Sequence, residues 1–246
     1  MNFESITPVW LDETDSTNAE AMRMLKRGKP MEGSCVAARY QSKGRGQRSN
    51  VWNSLPGENL LVSFILYPPA SAVQHPFLLS KSVALAVQGT LRHFTQGQVQ
   101  IKWPNDILID TKKAAGILIE NQWLGSHWYA AVVGIGINVN QKEFKVEHAT
   151  SLASNTMEVL KAETVLTELQ TRLSRSYRSL CKGDREYITA EYHQALFGSD
   201  RNQSYLTAKG QIEARVIQVF DDGRIEMLTD QGFSQTFDLS ELRLIY

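Results

Sequence analysis

The fold follows from residues 127–139, HWYAAVVGIGINV, a long apolar run in which large and small side chains alternate near the end. A β-strand has a period of two, so this alternation puts the large side chains on one face and the glycines on the other. The first face carries Ile135, Ile137 and Val139, and the second carries Gly134, Gly136 and Asn138. Because glycine weakens a strand interior, the bare face predicts a close neighbour, either a flat ligand oriented by Asn138 or a tightly packed helix. The strand alone favours neither.

Short apolar runs bounded by glycine, proline or turn residues predict further strands around this one. These runs are residues 8–11, 34–40, 59–67, 99–102, 107–109 and 114–123. Apolar residues at helical spacing predict a helix over 76–94 and another along the stripe from Leu166 to Leu180, with a third element at 187–196. The chain is therefore predicted to be α+β.

A further helix is predicted near the N-terminus. Thr17 and Glu20 have the spacing of a capping box, and the helix that follows should end near Arg27.

The pattern changes at residues 197–200, FGSD, where turn residues interrupt the last helical segment. Beyond them, short alternating stretches are separated by glycine-containing turns, which is typical of antiparallel strands. The stretches are residues 213–220, 224–229 and 235–239. We predict two domains, residues 1–198 and a small all-β domain of residues 199–246.

Composition limits the possible partners. The chain has 246 residues and a formal net charge of zero, so no global field attracts nucleic acid or an anionic membrane. Cys35 and Cys181 are far apart, and no apolar run approaches the length of a membrane span. We expect a cytoplasmic protein with reduced thiols that binds neither nucleic acid nor a membrane.

Residues 44–52, GRGQRSNVW, combine two glycines, two arginines and a tryptophan between two predicted strands. Glycines let backbone amides approach an anion, arginine forks match phosphate or carboxylate oxygens, and an aromatic ring can cover a flat ligand. Lys113, at the start of a strand, can add a positive charge, although most such lysines are only solvated. The loop predicts an anionic, partly planar ligand.

Common nucleotide and hydrolase motifs are missing from the sequence. Ser49 breaks the G-x-G-x-x-G pattern, and neither a P-loop nor a G-x-S-x-G elbow occurs. The five histidines show no metal-ligand spacing, which argues against a zinc site.

Five motifs occur in the order found in biotin protein ligases, and the chain resembles that family over residues 10–140 and more weakly in its C-terminal segment. The motifs are Asp15-Ser16-Thr17-Asn18; Tyr40-Gln41 with Gly44-Arg45-Gly46-Gln47-Arg48 and Trp52; Lys102-Trp103-Pro104-Asn105-Asp106; Lys113-Ala114-Ala115-Gly116-Ile117-Leu118; and Gly134-Ile135-Gly136-Ile137-Asn138. Each motif is weak alone, but their order is specific.

The resemblance implies a mixed sheet flanked by helices, related to class II aminoacyl-tRNA synthetases, followed by a small SH3-like β-barrel. It implies a ligase that uses ATP to activate biotin as biotinyl-5′-AMP and then transfers biotin to one lysine of a biotin carboxyl carrier domain of a carboxylase. Because the first step brings two anions together, catalysis there depends on positioning and charge neutralisation.

The resemblance also implies roles for individual residues. The catalytic residues would be Lys113, Arg45 and Arg48. Biotin would contact Ser16, Thr17, Asn18, Gln41, Arg45, Gly46, Gln47, Lys113 and Gly116. ATP would contact Arg48, Trp52, Asn105, Asp106 and Asn138. Asp106 would also hold Mg²⁺, with a simple hydrogen-bonded turn as the alternative role of Asn105 and Asp106.

The chain departs from the family pattern in two places. Gln47 and Ser49 stand where the family loop often has a second arginine and a third glycine, which predicts looser retention of the adenylate unless Arg48 compensates. The motifs begin by residue 15, which predicts a monofunctional ligase without an N-terminal DNA-binding domain.

Two other functions remain open from the sequence. One is a lipoate or octanoate ligase of the same superfamily, and the other is a non-catalytic module that senses biotin. A homodimer is also possible, because an exposed edge strand can pair with a second copy.

Overall fold

The computed structural model describes residues 2–156 and 158–245, apart from the side chain of Ser49. Within these ranges, a mixed sheet of seven strands forms the larger part of the molecule. Its strands are β1 (Val9–Thr14), β2 (Cys35–Gln41), β3 (Asn59–Leu66), β4 (Val99–Lys102), β5 (Asp106–Ile109), β6 (Lys112–Leu124) and β7 (His127–Asn138). Their order is β1-β2-β3-β7-β6-β5-β4; β1 and β2 are parallel, and all other neighbours are antiparallel.

Helices cover both faces of this sheet. They are α1 (Thr17–Arg27), α2 (Phe77–Phe94), α3 (Leu152–Thr156), α4 (Ala162–Lys182) and α5 (Arg185–Gln194). On one face, Ala21 of α1 packs against Val36, Ile65 and Val132. On the other, α2 and α4 cover the large apolar core that includes the side chains of Val133 and Ile137. The predicted mixed sheet flanked by helices is confirmed.

The ends of two helices follow from local sequence. Proline has a fixed φ and no amide proton, so Pro76 (φ −63°) is suited to the position before the first residue of α2. The C-terminal end of α4 is set by Gly183, which adopts a left-handed conformation (φ 81°) that glycine accepts readily.

The capping box predicted for α1 is wrong. Ser16 is the residue before the helix, and Thr17 lies inside the first turn with its hydroxyl donated to Gln41 of β2. Glu20 pairs with Arg23 instead of turning back to the helix start. The Thr17 hydroxyl binds Gln41 of β2 instead of capping its own helix, and sequence spacing alone does not reveal this partner.

A second, antiparallel sheet follows the helices, as predicted. Its strands are β8 (Gln203–Thr207), β9 (Gly210–Val219), β10 (Ile225–Thr229), β11 (Ser234–Phe237) and β12 (Arg243–Leu244), in the order β11-β10-β9-β8-β12. This separate sheet fits a small SH3-like domain. Strands β8 and β12 were not predicted, and the domain boundary at residue 199 stays a prediction.

The turn between β9 and β10 joins the second sheet to the first. Trp103 Nε1 donates to the carbonyl oxygen of Gly223 at 2.9 Å. Lys81 Nζ of α2 donates to the Val219 carbonyl at 2.8 Å and lies 2.6 Å from Asp221 Oδ1. The junction therefore lies directly behind the β4–β5 turn that carries the Lys-Trp-Pro-Asn-Asp motif.

No helix among residues 2–156 and 158–245 has both the length and the apolar character needed to span a bilayer.

Candidate active site

A cavity of about 250 Å³ lies between the glycine-bearing face of β7 and strands of the second sheet. All but one of the predicted site residues line it: Ser16, Thr17, Asn18, Gln41, Arg45, Gly46, Gln47, Arg48, Trp52, Asn105, Asp106, Lys113 and Gly116. The second sheet adds apolar side chains, including Val216, Ile225 and Leu244. The cavity is slightly smaller than the range of about 300–1,000 Å³ usual for small-molecule sites.

The start of α1 is fixed by Asp15. Its carboxylate accepts hydrogen bonds from the Ser16 amide at 2.7 Å and from two nitrogens of Arg23, at 2.8 and 3.1 Å. The hydrogen bond from Arg23 holds the pKa of Asp15 far below its usual range, so the carboxylate stays charged at neutral pH. This anchor fixes residues 16–18 at the cavity wall.

A chain of polar side chains runs from β2 to α1 through the interior. Gln41 Oε1 accepts from the amide and the hydroxyl of Thr17, at 2.7 and 3.0 Å. Ser63 Oγ of β3 lies 2.8 Å from Thr17 Oγ1 and 2.6 Å from Asn18 Oδ1. A hydroxyl carries one proton, so Ser63 can donate to one of these oxygens and keeps lone pairs for N–H donors of a ligand.

Glu120 of β6 closes this chain at its far end. Its Oε2 accepts from Asn18 Nδ2 at 2.7 Å and from Arg45 Nη2 at 2.9 Å. One carboxylate oxygen thus joins the start of α1 to the arginine loop.

The glycine face of the larger sheet is covered by a side chain from that loop. The indole of Trp52 lies flat on β6 and β7, where a Cβ on Gly136 would be 2.5 Å from its Cε2 and a Cβ on Gly116 would be 2.8 Å from its Cζ3. A Cβ on Gly134 would likewise collide with the amide of Asn18, so this glycine leaves room for that side chain. The expectation of a close neighbour is thus met by the indole of Trp52 and by a residue of α1, while a flat ligand on this face stays a prediction.

Lys113 stands at the end of the glycine strip opposite Asn18. Its Nζ lies 2.6 Å from Asp106 Oδ1 and 5.5 Å from the centre of the Trp52 ring. Lys102 Nζ is 3.5 Å from the other oxygen of Asp106. Lys113, whose side chain is 35% exposed, thus offers an ammonium group to a phosphate or carboxylate ligand at this end of the cavity.

Comparison with known proteins agrees with this geometry. Residues 10–138 match the Biotin/lipoate A/B protein ligase family. The chain belongs to this family. A bifunctional ligase/repressor, BirA, of Bacillus subtilis is 30% identical over 235 residues, which are 93% of this chain and 71% of the relative. A biotin--[acetyl-CoA-carboxylase] ligase of Paracoccus denitrificans is 40% identical over 52% of this chain and 53% of its own length.

The fold of the whole chain also matches solved structures of biotin protein ligases. The structure of the Aquifex aeolicus ligase in complex with biotin and ATP superposes with a TM-score of 0.78 at 27% identity, and covers 97% of this chain and 98% of that one. The match therefore includes both sheets, and the resemblance inferred from the five motifs is confirmed.

One predicted site residue of this family member lies elsewhere. Asn138 does not line the cavity; its Nδ2 donates to the carbonyl oxygen of Thr150 at 2.9 Å and, at 3.5 Å, to that of Lys113. The predicted contact with ATP stays a prediction, and in this structure the amide binds backbone carbonyl groups instead. Alternation placed Asn138 on the correct face, but the segment beyond β7 covers that position.

Asn105 reaches the ligase cavity while holding the turn in place. Its Nδ2 donates to the Ile117 carbonyl at 2.8 Å, and the Ile117 amide donates to the Asn105 carbonyl at 3.0 Å. The Lys-Trp-Pro-Asn-Asp turn is thereby fixed to β6, so the Asp106 carboxylate stays beside Lys113.

The predicted magnesium ligand has partial support from the donor chemistry. No group of three or more His, Cys, Asp or Glu side chains suited to a metal occurs in the described part of the ligase. Asp106 is a hard oxygen donor at the cavity wall, and Mg²⁺ commonly uses one or two carboxylates together with substrate phosphates. Asp106 fits that pattern only with phosphates present, because two lysines now share its charge.

Two polar residues of the site were missed by the sequence analysis, Ser63 and Glu120. Ser63 is fully buried in β3, opposite Gly134 of β7, within an otherwise apolar run. A lone hydroxyl in such a run was the available signal. Glu120 follows the apolar part of β6 and resembles an ordinary solvated strand end in sequence, so only the fold reveals its contacts.

Proposed function

We propose that the chain joins biotin to ATP and transfers the biotinyl group to one lysine of a biotin carboxyl carrier domain. First, a carboxylate oxygen of biotin attacks the α-phosphorus, the bond to pyrophosphate breaks, and biotinyl-5′-AMP forms. Then the lysine amine attacks the carbonyl of this mixed anhydride, loses a proton, and displaces AMP. The observation that carries the proposal is the order of groups along one strip, from the Ser63 and Asn18 chain, over bare glycines, to Lys113.

The polar end of the strip suits the cyclic urea of biotin. A urea ring has two N–H donors and one carbonyl acceptor, and the buried hydroxyls of Thr17 and Ser63 offer acceptors beside the Asn18 amide. Gln41 orders Thr17, and Ser16 lies at the same wall. Buried polar groups that stay unpaired cost free energy, so a ligand that satisfies them is favoured over an apolar one.

The positive end suits the reacting phosphate. Lys113 neutralises charge that builds up on the α-phosphate and the biotin carboxylate, and Asp106 holds the ammonium until ATP enters. The loop residues Arg45, Gly46, Gln47 and Arg48 then cover the adenylate, which keeps water from a reactive anhydride.

Trp52 and Asn105 are assigned to the nucleotide. The indole is the flat surface nearest Lys113, and its Nε1 is buried without a hydrogen-bond partner among the described residues. A ligand that enters the strip must move this ring, which brings it against the adenine. Asp106 with the ATP phosphates would hold Mg²⁺, which supplies further charge neutralisation when bound.

Three further statements belong to the proposal. The acceptor is a carrier domain of a biotin-dependent carboxylase. The location is cytoplasmic, supported by two free cysteines. A homodimer stays a prediction; its basis is β1, which ends the larger sheet as an edge strand.

The test measures pyrophosphate release by the purified chain with ATP and biotin, and then biotin transfer to a carrier domain by streptavidin blot. We expect release only when both substrates are present, and a labelled carrier lysine. Well-folded protein that binds biotin but releases no pyrophosphate would overturn the enzyme assignment in favour of a sensor. Pyrophosphate release that depends on lipoate and not on biotin would overturn the assignment of biotin as the substrate.

A further inference from the structure

Glu120 occupies a position that joins two separate parts of the site. It lies in β6, paired in register with Val132 of β7, and about a quarter of its side chain is exposed (27%). Its Oε2 is shared by Asn18 Nδ2 at 2.7 Å and by Arg45 Nη2 at 2.9 Å. Asn18 belongs to the rigid start of α1, whereas Arg45 belongs to the loop.

We infer that Glu120 is a positioning residue that orients the Asn18 amide and holds the loop of residues 44–52 closed over the cavity. The inference rests on the proposed function for its catalytic consequence, whereas the contact of Arg45 with Glu120 can be tested without substrate.

The orientation of Asn18 follows from the charge of Glu120. A carboxylate only accepts hydrogen bonds, so it selects the amide rotamer that directs Nδ2 toward β6, where the Leu118 carbonyl accepts from the same nitrogen at 3.3 Å. Oδ1 then faces Ser63 at 2.6 Å. A neutral amide at position 120 can both donate and accept, so only the longer hydrogen bond to the Leu118 carbonyl still selects this rotamer.

The loop is a small hairpin whose two sides are joined by hydrogen bonds. Arg45 and Val51 form an antiparallel bridge, Gly46 donates to the Asn50 carbonyl at 2.7 Å, and Trp52 donates to the Gly44 carbonyl at 3.0 Å. Because these bonds tie both sides together, the ion pair of Arg45 with Glu120 also restrains the Trp52 end.

The shared oxygen couples the two effects. A hydrogen bond that involves an ion is stronger than a neutral one, and both donors here depend on the same carboxylate. The closed position of the loop and the orientation of the Asn18 amide that the urea ring requires therefore depend on the same carboxylate. Loss of the charge at position 120 loosens the loop and weakens biotin binding together.

Limited trypsin digestion of the ligand-free full chain tests the loop contact without relying on activity. Trypsin cuts after arginine, so cleavage after Arg45 and Arg48, identified by mass spectrometry, reports how often the loop opens. We expect Glu120→Gln to speed these cuts by about 5-fold, the effect of losing an ion pair of about 1 kcal/mol. The matched control is Glu163→Gln, which removes the exposed ion pair between α4 and Arg39 of β2 (3.0 Å) and leaves the contacts of Arg45 intact. Unchanged cleavage in Glu120→Gln overturns the inference.

A second variant breaks the same contact from the loop side. Arg45→Ala should speed the cut after Arg48 to the same degree, and the double variant should be no faster than either single one. Additive acceleration contradicts a shared contact. A thermal melt confirms that each variant is folded.

Kinetics then separate this inference from the proposed function. In an active enzyme, Glu120→Gln should raise KM for biotin by about 10-fold or more, since it removes hydrogen bonds of a charged group, and should change KM for ATP much less. Equal effects on both substrates contradict the role in orienting Asn18. Faster loop cleavage in a chain that never releases pyrophosphate leaves the loop contact standing and overturns only the proposed function.

Discussion

Two clusters in this protein have nearly the same composition and opposite properties. In the cavity, Asp106 lies between Lys113 and Lys102. At the junction of the two sheets, Asp221 lies between Lys81 and Arg185. Each cluster combines one carboxylate with two cations, but the cavity cluster joins neighbouring strands within residues 102–113, whereas the junction cluster joins residues 140 apart in sequence.

The clusters differ in burial and in how fully their hydrogen bonds are satisfied. The Lys81 side chain is 1% exposed, and its ammonium also has the Val219 carbonyl at 2.8 Å and Thr189 Oγ1 at 3.5 Å. The Lys113 side chain is 35% exposed and faces an aromatic ring and open cavity. The comparison indicates that the buried, fully hydrogen-bonded junction cluster stabilises the fold, while the exposed cavity cluster keeps the charge of Lys113 available for a ligand.

The largest expected effect is on stability at the junction. Asp221→Asn leaves the buried ammonium of Lys81 without a countercharge, which should cost about 3–5 kcal/mol of unfolding free energy. Urea denaturation measures the loss. The neighbouring Asp222→Asn is the control, because Asp222 is half exposed and forms an exposed ion pair with Arg224 at 2.8 Å. Equal effects of the two variants would contradict a special role of the junction cluster.

In the cavity cluster, Lys113→Ala should reduce biotin-dependent pyrophosphate release by about 100- to 1,000-fold, because a preorganised charge at a phosphoryl transition state is worth about 3–4 kcal/mol. The unfolding free energy should change by less than about 1 kcal/mol, as is usual for accessible ion pairs. Lys112→Ala, at the exposed neighbouring position, serves as the control. A large loss of stability in Lys113→Ala would mean that the two clusters are alike.

The sequence revealed the cavity cluster but not the junction cluster, and the reason is sequence separation. Lys113 and Asp106 belong to motifs whose order indicates a site. Lys81 lies in the middle of α2 and its partner Asp221 follows 140 residues later, so nothing in the helical pattern distinguishes Lys81 from a solvated lysine. The contact exists only because the second sheet packs behind the β4–β5 turn.

The same distinction explains the other successes and failures. Long periodic segments such as α2, α4 and β7 were predicted close to their observed bounds, because burial of one face enforces the period. Short elements such as β8 and β12 carry too few residues for a pattern. The cap of α1 and the contacts of Glu120 depended on partners distant in sequence, which lie in β2, in α1 and in the loop of residues 44–52, and single-sequence periodicity does not contain them.

A smaller effect should follow from Asp106→Asn, the same substitution as at Asp221. We expect little change in stability, because this site is open to solvent and Lys113 keeps its contact with the Trp52 ring. The concentration of Mg²⁺ needed for half-maximal pyrophosphate release should rise about 10-fold or more, as for loss of a group that holds a metal. An unchanged Mg²⁺ requirement would remove Asp106 from the predicted metal site.

The smallest expected effect is the pH dependence of the stability that Asp221 contributes at the junction. Burial opposes ionisation of Asp221, but hydrogen bonds and charges from Lys81 and Arg185 outweigh it and hold the pKa of this carboxyl below the ordinary value of 3.8. As the pH falls, the unfolded state therefore binds a proton at Asp221 before the folded state does. The stabilisation that the Asp221 charge gives to the fold is present above pH 3.8 and is lost as the pH falls through the lower pKa of the folded state. The difference in unfolding free energy between the wild type and Asp221→Asn, measured by urea titration, should stay constant from pH 7 to about pH 5 and shrink below the unfolded pKa. A difference that grows as the pH falls would reverse the sign of the shift and contradict the assignment of Asp221 as the charged centre of the junction.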